Sequence, residues 1–172
     1  MKHPFRFVCR TAALLFALSL GLMCGAGSAT ADPGSCPTAI YEEGFDGGFG
    51  GWAPTAGEWE VGAPTSGPNG TYFGPGCAAT SLTGNYAYAT YSRLQSPWIS
   101  LPAAPVDGAL WLRIWHYFNL SASDGSDLGQ VQVYTDAEGW VGIATFYRYS
   151  GGWTTWIGDL AAYAGMDIRL GF

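Results

Sequence analysis

The run at 109–118, A-L-W-L-R-I-W-H-Y-F, constrains the fold more than any other part of this chain. On a period of two, Leu110, Leu112, Ile114, His116 and Phe118 share one face, while Trp111, Arg113, Trp115 and Tyr117 share the other. A helix would scatter both sets around its girth, so the run reads as a strand with two unlike faces. After residue 31 no window carries apolar residues at helical spacing over three turns. Shorter β-rich runs recur instead at 38–43, 58–61, 86–91, 94–101, 130–135, 143–149, 154–159 and 168–172. Breakers separate them: Gly47-Gly48, Pro68-Asn69-Gly70, Gly84-Asn85, Asp124-Gly125 and Gly151-Gly152. The 26 glycines suit tight turns and bulges, and a 48% hydrophobic share is enough to build a core. The expected fold is all-β, a concanavalin-like or jelly-roll sandwich of two antiparallel sheets. The last run reaches Phe172 with no closing turn, which puts it at a sheet edge or leaves the domain incomplete.

The first residues read differently. Lys2, Arg6 and Arg10 form a basic start, Thr11 to Met23 is almost unbroken apolar sequence, and Ala29-Thr30-Ala31 is an A-x-A cleavage site. The run is too short for a comfortable membrane span, and no stop-transfer cluster follows. A cleaved signal peptide over 1–31, a short tether over 32–37 and one domain over 38–172 are expected, with a secreted, extracellular or periplasmic destination. Cleavage leaves four arginines and no lysine against all 13 acids, a net charge of −9. That surface repels phosphate backbones and anionic lipid, so nucleic acid is excluded as a partner and no membrane insertion follows cleavage. Cys36 and Cys77 remain as a pair in an oxidising compartment, and a disulfide between them is expected. It would contribute on the order of 3–4 kcal/mol by closing a long loop of the unfolded chain.

Several motifs carry a family resemblance. Phe45-Asp46-Gly47-Gly48-Phe49-Gly50-Gly51-Trp52 resembles the opening Phe-Glu/Asp…Gly-Trp signature of MAM domains, and more closely that of the MAM-like jelly-roll domain attached to bacterial immune-inhibitor-A-type secreted metallopeptidases. Trp59-Glu60-Val61-Gly62-Ala63-Pro64-Thr65-Ser66-Gly67-Pro68 is similar to that family's W-x-x-G-x-P-T-S-G-P. Ala79 to Tyr86 (A-T-S-L-T-G-N-Y), Leu94 to Leu101 (L-Q-S-P-W-I-S-L), Ile114-Trp115-His116-Tyr117 and Asp159 to Gly165 (D-L-A-A-Y-A-G) follow in the family's order. The set covers nearly all of 38–172. The resemblance implies a jelly roll, places His116 as part of the scaffold, and implies a closing Gly-Trp-Tyr-Ile-Asp-Asp-Val-like strand that nothing here matches.

Catalysis finds little support in the residues. There is no H-E-x-x-H, G-x-S-x-G, P-loop or dinucleotide fingerprint. Once the leader is gone His116 is the only histidine, and its register puts it on the apolar face as a packed core residue. A glycosidase needs two acids about 5–10 Å apart, and Glu58 with Glu60 is more simply a solvated strand face. A structural Ca²⁺ is the sharper expectation, because carboxylates on glycine-flanked loops supply the oxygens that ion takes. Its candidate ligands are Glu43 and Asp46, at the acidic opening where the resemblance implies a cation, with Asp124 and Asp127 on a second acidic turn; the alternative is ordinary loop-capping aspartates. The eight Trp, ten Tyr and nine Phe suggest a second site. Trp111, Trp115, Tyr117, Trp153 and Trp156 are candidates for stacking on sugar rings, with Trp140, Tyr147 and Tyr149 as an extension of that surface, weighed against packing in a two-sheet core. The expected role is a secreted non-catalytic binding or adhesion module for carbohydrate or a cell-surface protein. An accessory or structural domain of a secreted peptidase system is the runner-up, and a glycoside or other hydrolase is third.

Overall fold

A computed structural model of the chain describes residues 13–17, 38–68, 70–87, 90–103, 109–120 and 126–172. The strands are β1 (Ala13–Ala17), β2 (Thr38–Ala39), β3 (Ala53–Ala56), β4 (Glu60–Gly62), β5 (Cys77–Ala79), β6 (Arg93–Gln95), β7 (Ile99–Ser100), β8 (Ala109–His116), β9 (Leu128–Thr135), β10 (Gly139–Tyr147), β11 (Thr154–Asp159) and β12 (Asp167–Gly171). Among the described residues the only helical element is a 3₁₀ turn at Ala161–Tyr163. None is long and apolar enough to cross a membrane. All ladders are antiparallel. One sheet runs β11-β8-β1-β2; the other runs β10-β9-β12-β6-β3 with β7 joined to β12; β4 and β5 form a small ladder of their own. The molecule is an all-β sandwich, as its sequence pattern predicts.

Alternation places the core. On β8 Leu110, Leu112, Ile114 and His116 point inward, and on β9 Gly129, Val131, Val133 and Thr135 do the same. Leu110, Leu112 and Ile114 meet Leu94, Val131, Val133, Ile168 and Leu170 of the facing sheet, all at 1% exposure or less. Each such side chain contributes roughly 1.5–3 kcal/mol by leaving water. The glycine-rich motif at 45–52 is a turn with positive φ at Phe45, Gly48, Gly50 and Gly51. It delivers Trp52 into the core, where the indole packs edge-on to Phe45 (5.7 Å) and stacks on Phe172 (5.2 Å), its N–H donating to Tyr41 Oη at 2.7 Å.

Some sequence expectations change in the folded chain. The final run is no edge strand: β12 lies between β9 and β6, and Leu94 and Phe172 exchange two backbone hydrogen bonds of 2.9 and 3.0 Å. Its alternating Ile168 and Leu170 need cover from the facing sheet, which an interior position supplies. The run at 94–101 divides into β6 and β7 because Pro97 has no N–H to give the ladder. Ser96 bridges the break, its Oγ accepting from the Leu170 N–H at 2.8 Å. Of the run at 86–91, the described residues are irregular. The strands β3 and β5 carry no alternation that would have announced them. Within the apolar leader run, Ala13–Ala17 forms a strand between β8 and β2.

Candidate binding face

The outward side of the six-stranded sheet gathers the most concentrated set of ligand-ready groups. Because β9 sends its valines inward, Gln130, Gln132 and Tyr134 project to the opposite side. Register puts Trp140 of β10 and Arg169 of β12 on either flank of Tyr134. Trp98, turned out by the break at Pro97, lies under the Arg169 guanidinium at 4.5 Å. The rings form a continuous strip: Trp98 to Tyr134 at 5.8 Å, then Tyr134 to Trp140 at 5.3 Å. Arg93 of β6 covers Trp140 at 4.4 Å and Tyr91 at 5.2 Å. Two of the four arginines after residue 31 thus stand over indoles of one face.

Two glycines in one cross-strand row make room for these rings. Across the sheet Gly142, Gln132, Gly171 and Gln95 are successive register partners. A Cβ on Gly171 would stand 2.6 Å from Cζ3 of Trp140, so the indole lies across bare backbone there. Polar order accompanies the rings. Arg93 Nη2 donates to Gln132 Oε1 at 3.0 Å, and Gln132 Nε2 donates to Gln130 Oε1 at 3.0 Å. The Nε atoms of both Arg93 and Arg169 are buried with no hydrogen-bond partner among the described residues. Beside Arg93 opens a cavity of about 110 Å³ lined by Thr80, Tyr86, Tyr91, Asp127 and Gln130 among others, with the Tyr86 hydroxyl donating to Asp127. Tyr91 at 63% exposure and Trp98 at 43% bracket the strip with accessible rings. Flat rings beside fixed amide and guanidinium donors can stack on a sugar ring and hydrogen-bond its hydroxyls.

His116 lies inside the sandwich, 3% exposed, against Phe118 (5.5 Å) and Phe146 (4.6 Å). Burial lowers its pKa to about 4, with a hydrogen bond to the Ile114 backbone pulling weakly the other way. The imidazole is neutral at physiological pH.

With that geometry in place, comparison with known proteins gives one informative match. The chain resembles part of a peptidase. It is 36% identical over 138 residues to Bacillopeptidase F of Bacillus subtilis (strain 168), an alignment taking in 78% of this chain and 9% of that protein. The chain therefore spans under a tenth of the length of the relative it matches. No family model matches the chain, and no solved structure matches it.

The sandwich distributes the aromatic candidates over unlike surroundings. Trp115 stacks against Tyr72 at 3.9 Å, and Tyr72 also reaches Trp153 at 6.0 Å, so its own chain occupies a face of the Trp115 ring. The Trp153 indole donates to the Gly70 carbonyl at 3.1 Å. Tyr117, beyond the end of β8, is buried with Cys77, Ala79 and Leu82. Trp156 packs on the main core and meets Phe146 edge-on at 6.3 Å. Trp111 stays partly exposed on the outer side of β8. Of the strip on the other sheet the sequence offers Trp140 alone, as an extension of the aromatic set; Trp98, Tyr134, Arg93 and Arg169 join it only in the fold, because the five residues come from four strands and a break between two of them.

The carboxylates are dispersed. Glu43 accepts from the Phe45 N–H at 2.6 Å and lies against Gly50; Asp46 accepts from the Gly76 N–H at 3.4 Å. Asp127 instead belongs to the cavity beside Arg93. Asp124 and Cys36 lie outside the described residues, while Cys77 is buried with its thiol 3.2 Å from the Gly62 carbonyl oxygen. Among the described residues no three His, Cys, Asp or Glu side chains come together.

Proposed function

We propose that this chain is a secreted, non-catalytic accessory module of a peptidase system that binds a neutral, hydroxyl-rich polymer on the outer face of its six-stranded sheet. One observation carries the reading: the Trp98–Tyr134–Trp140 strip clamped by Arg169 and Arg93 and edged by the ordered Gln132–Gln130 pair. Rings supply stacking area, and fixed donors supply direction. A polysaccharide suits this face better than a charged ligand, because each guanidinium is already engaged by a ring or an amide. The peptidase setting rests on the likeness to a segment of Bacillopeptidase F and on the motif series similar to MAM-like domains of secreted metallopeptidases. The A-x-A leader supports export. The neutral, buried His116 supports a scaffold role rather than acid–base work.

The test is a glycan array and polysaccharide pull-down with purified protein, followed by titration of the best ligand. Trp98→Ala and Trp140→Ala are expected to weaken binding at least tenfold, while Trp111→Ala changes it less than twofold. No saturable binding to any neutral glycan would sink the reading. Loss with Trp111→Ala alone would move the site to the other sheet, and binding only to a protein ligand would replace the glycan with a cell-surface partner.

A further inference from the structure

The outward row of β9 carries a hydrogen-bond chain whose polarity is fixed at one end. Arg93 stands over Trp140 at 4.4 Å and Tyr91 at 5.2 Å, which holds its guanidinium in place. A guanidinium can only donate, so the Gln132 atom that meets Arg93 Nη2 at 3.0 Å is the amide oxygen. The Gln132 nitrogen is thereby turned toward Gln130. The Gln130 atom 3.0 Å from it has to accept, so it is an amide oxygen as well. What is left at the end of the chain is Gln130 Nε2, a donor with no partner among the described residues. That nitrogen lies 3.7 Å from the point where a Cβ on Gly142 would stand, over exposed backbone of β10. Thr145 is the register partner of Gln130, and the next outward pair along the two strands is Leu128 with Tyr147, 41% and 50% exposed. The terminal donor thus lies between rings, with Tyr134 and Trp140 toward one end of the face and Tyr147 toward the other.

We propose that Gln130, oriented by Arg93 through Gln132, is the specificity-determining donor of this face, and that it reads the acetamido carbonyl of an N-acetylated amino-sugar polymer. The inference rests on the neutral-polymer reading above and narrows it. A hydroxyl turns to donate or accept and so meets either end of an amide. A carbonyl oxygen only accepts, and a site whose free amide end is fixed as a donor discriminates in its favour. The methyl of the same group is apolar and suits the ring area of Trp140 or Tyr147 on either side. A carboxylated sugar would also bring an acceptor, but the −9 charge after residue 31 repels a polyanion. Peptides carry carbonyls too, yet an extended backbone gains most at a sheet edge, whereas Gln130 stands on a face between rings. For this contact Arg93 and Gln132 are positioning residues.

Calorimetric titration of the protein with the β-1,4-linked tetramers of N-acetylglucosamine and of glucose tests it, since the two differ only in the acetamido or hydroxyl group at one carbon of each ring. The acetamido tetramer is expected to bind at least tenfold tighter. Gln130→Glu keeps the size of the side chain and still accepts from Gln132, but turns the free end from donor to acceptor. It is expected to weaken the acetamido tetramer until the two affinities lie within twofold. Gln132→Met lets the Gln130 amide turn over and is expected to cut the preference to threefold or less; a preference that survives it would overturn the relay from Arg93. Melting curves of both variants are expected to match the unaltered protein, so that a lost preference reads recognition rather than folding. Equal affinities for the unaltered protein, or a preference that survives Gln130→Glu, would overturn the inference while the neutral-polymer reading stands. Failure of the acetamido tetramer to bind where another neutral glycan does would also overturn it, as would capture of a peptide in place of any glycan. Binding to no neutral glycan at all would remove both readings.

Discussion

His116 sits between Phe118 and Phe146 with its pKa near 4, well below the value of 6.5 that it has in an unfolded chain. The unfolded state therefore binds more protons than the folded state between those two pH values, so stability falls as pH drops from about 6.5 to about 4. The full effect is about 3 kcal/mol. Urea midpoints measured from pH 7 to pH 4 should show that slope, and His116→Phe should remove this share of it while leaving the carboxylate contribution. At Gly171 the reasoning concerns space rather than charge. A methyl there meets the Trp140 ring at 2.6 Å, so Gly171→Ala must lift the indole off the sheet. Ligand affinity should drop at least fivefold, with about 1–3 kcal/mol of stability lost because the strand is interior; paired titration and melting curves would read both.

Strands here are defined less by propensity than by what interrupts them. Pro97 ends β6, frees Trp98 to turn outward beneath Arg169, and leaves Ser96 to tie β6 to β12. Ser96 is buried at the junction, with its hydroxyl donating to the Pro97 carbonyl at 2.7 Å while accepting from Leu170. Ser96→Ala should destabilise by about 1–3 kcal/mol, the usual cost of a buried group left without its partner. It should also weaken ligand binding, since Trp98 loses its fixed take-off point. Chemical denaturation alongside the glycan titration checks both, and a stability loss with unchanged affinity would show that Trp98 is held by Arg169 alone.

At the scale of the whole molecule, net charge and the neutral ligand face lead to opposite expectations about salt. After residue 31 the sequence carries −9, so any partner recognised through charge would respond strongly to ionic strength. Binding built on stacking and neutral hydrogen bonds should change less than twofold between about 0.05 and 0.5 M NaCl; a steep salt slope in an affinity titration would point to a charged ligand instead. Much of this architecture was legible in the sequence. The period-two pattern at 109–118 set the inward and outward faces of β8, and the glycine breakers set the class, because alternation and turn chemistry are local properties of the chain. The neighbours of each strand were not legible. Whether Trp115 meets a sugar or Tyr72, whether β12 closes an edge or fills a centre, and whether Arg93 finds Trp140 all depend on register between distant segments. The amino-acid order by itself determined that this protein builds two-faced strands around an aromatic-rich core; only tertiary pairing decided which rings are core and which are surface, because side-chain periodicity lies within a segment whereas hydrogen-bond partners come from segments far apart in the chain.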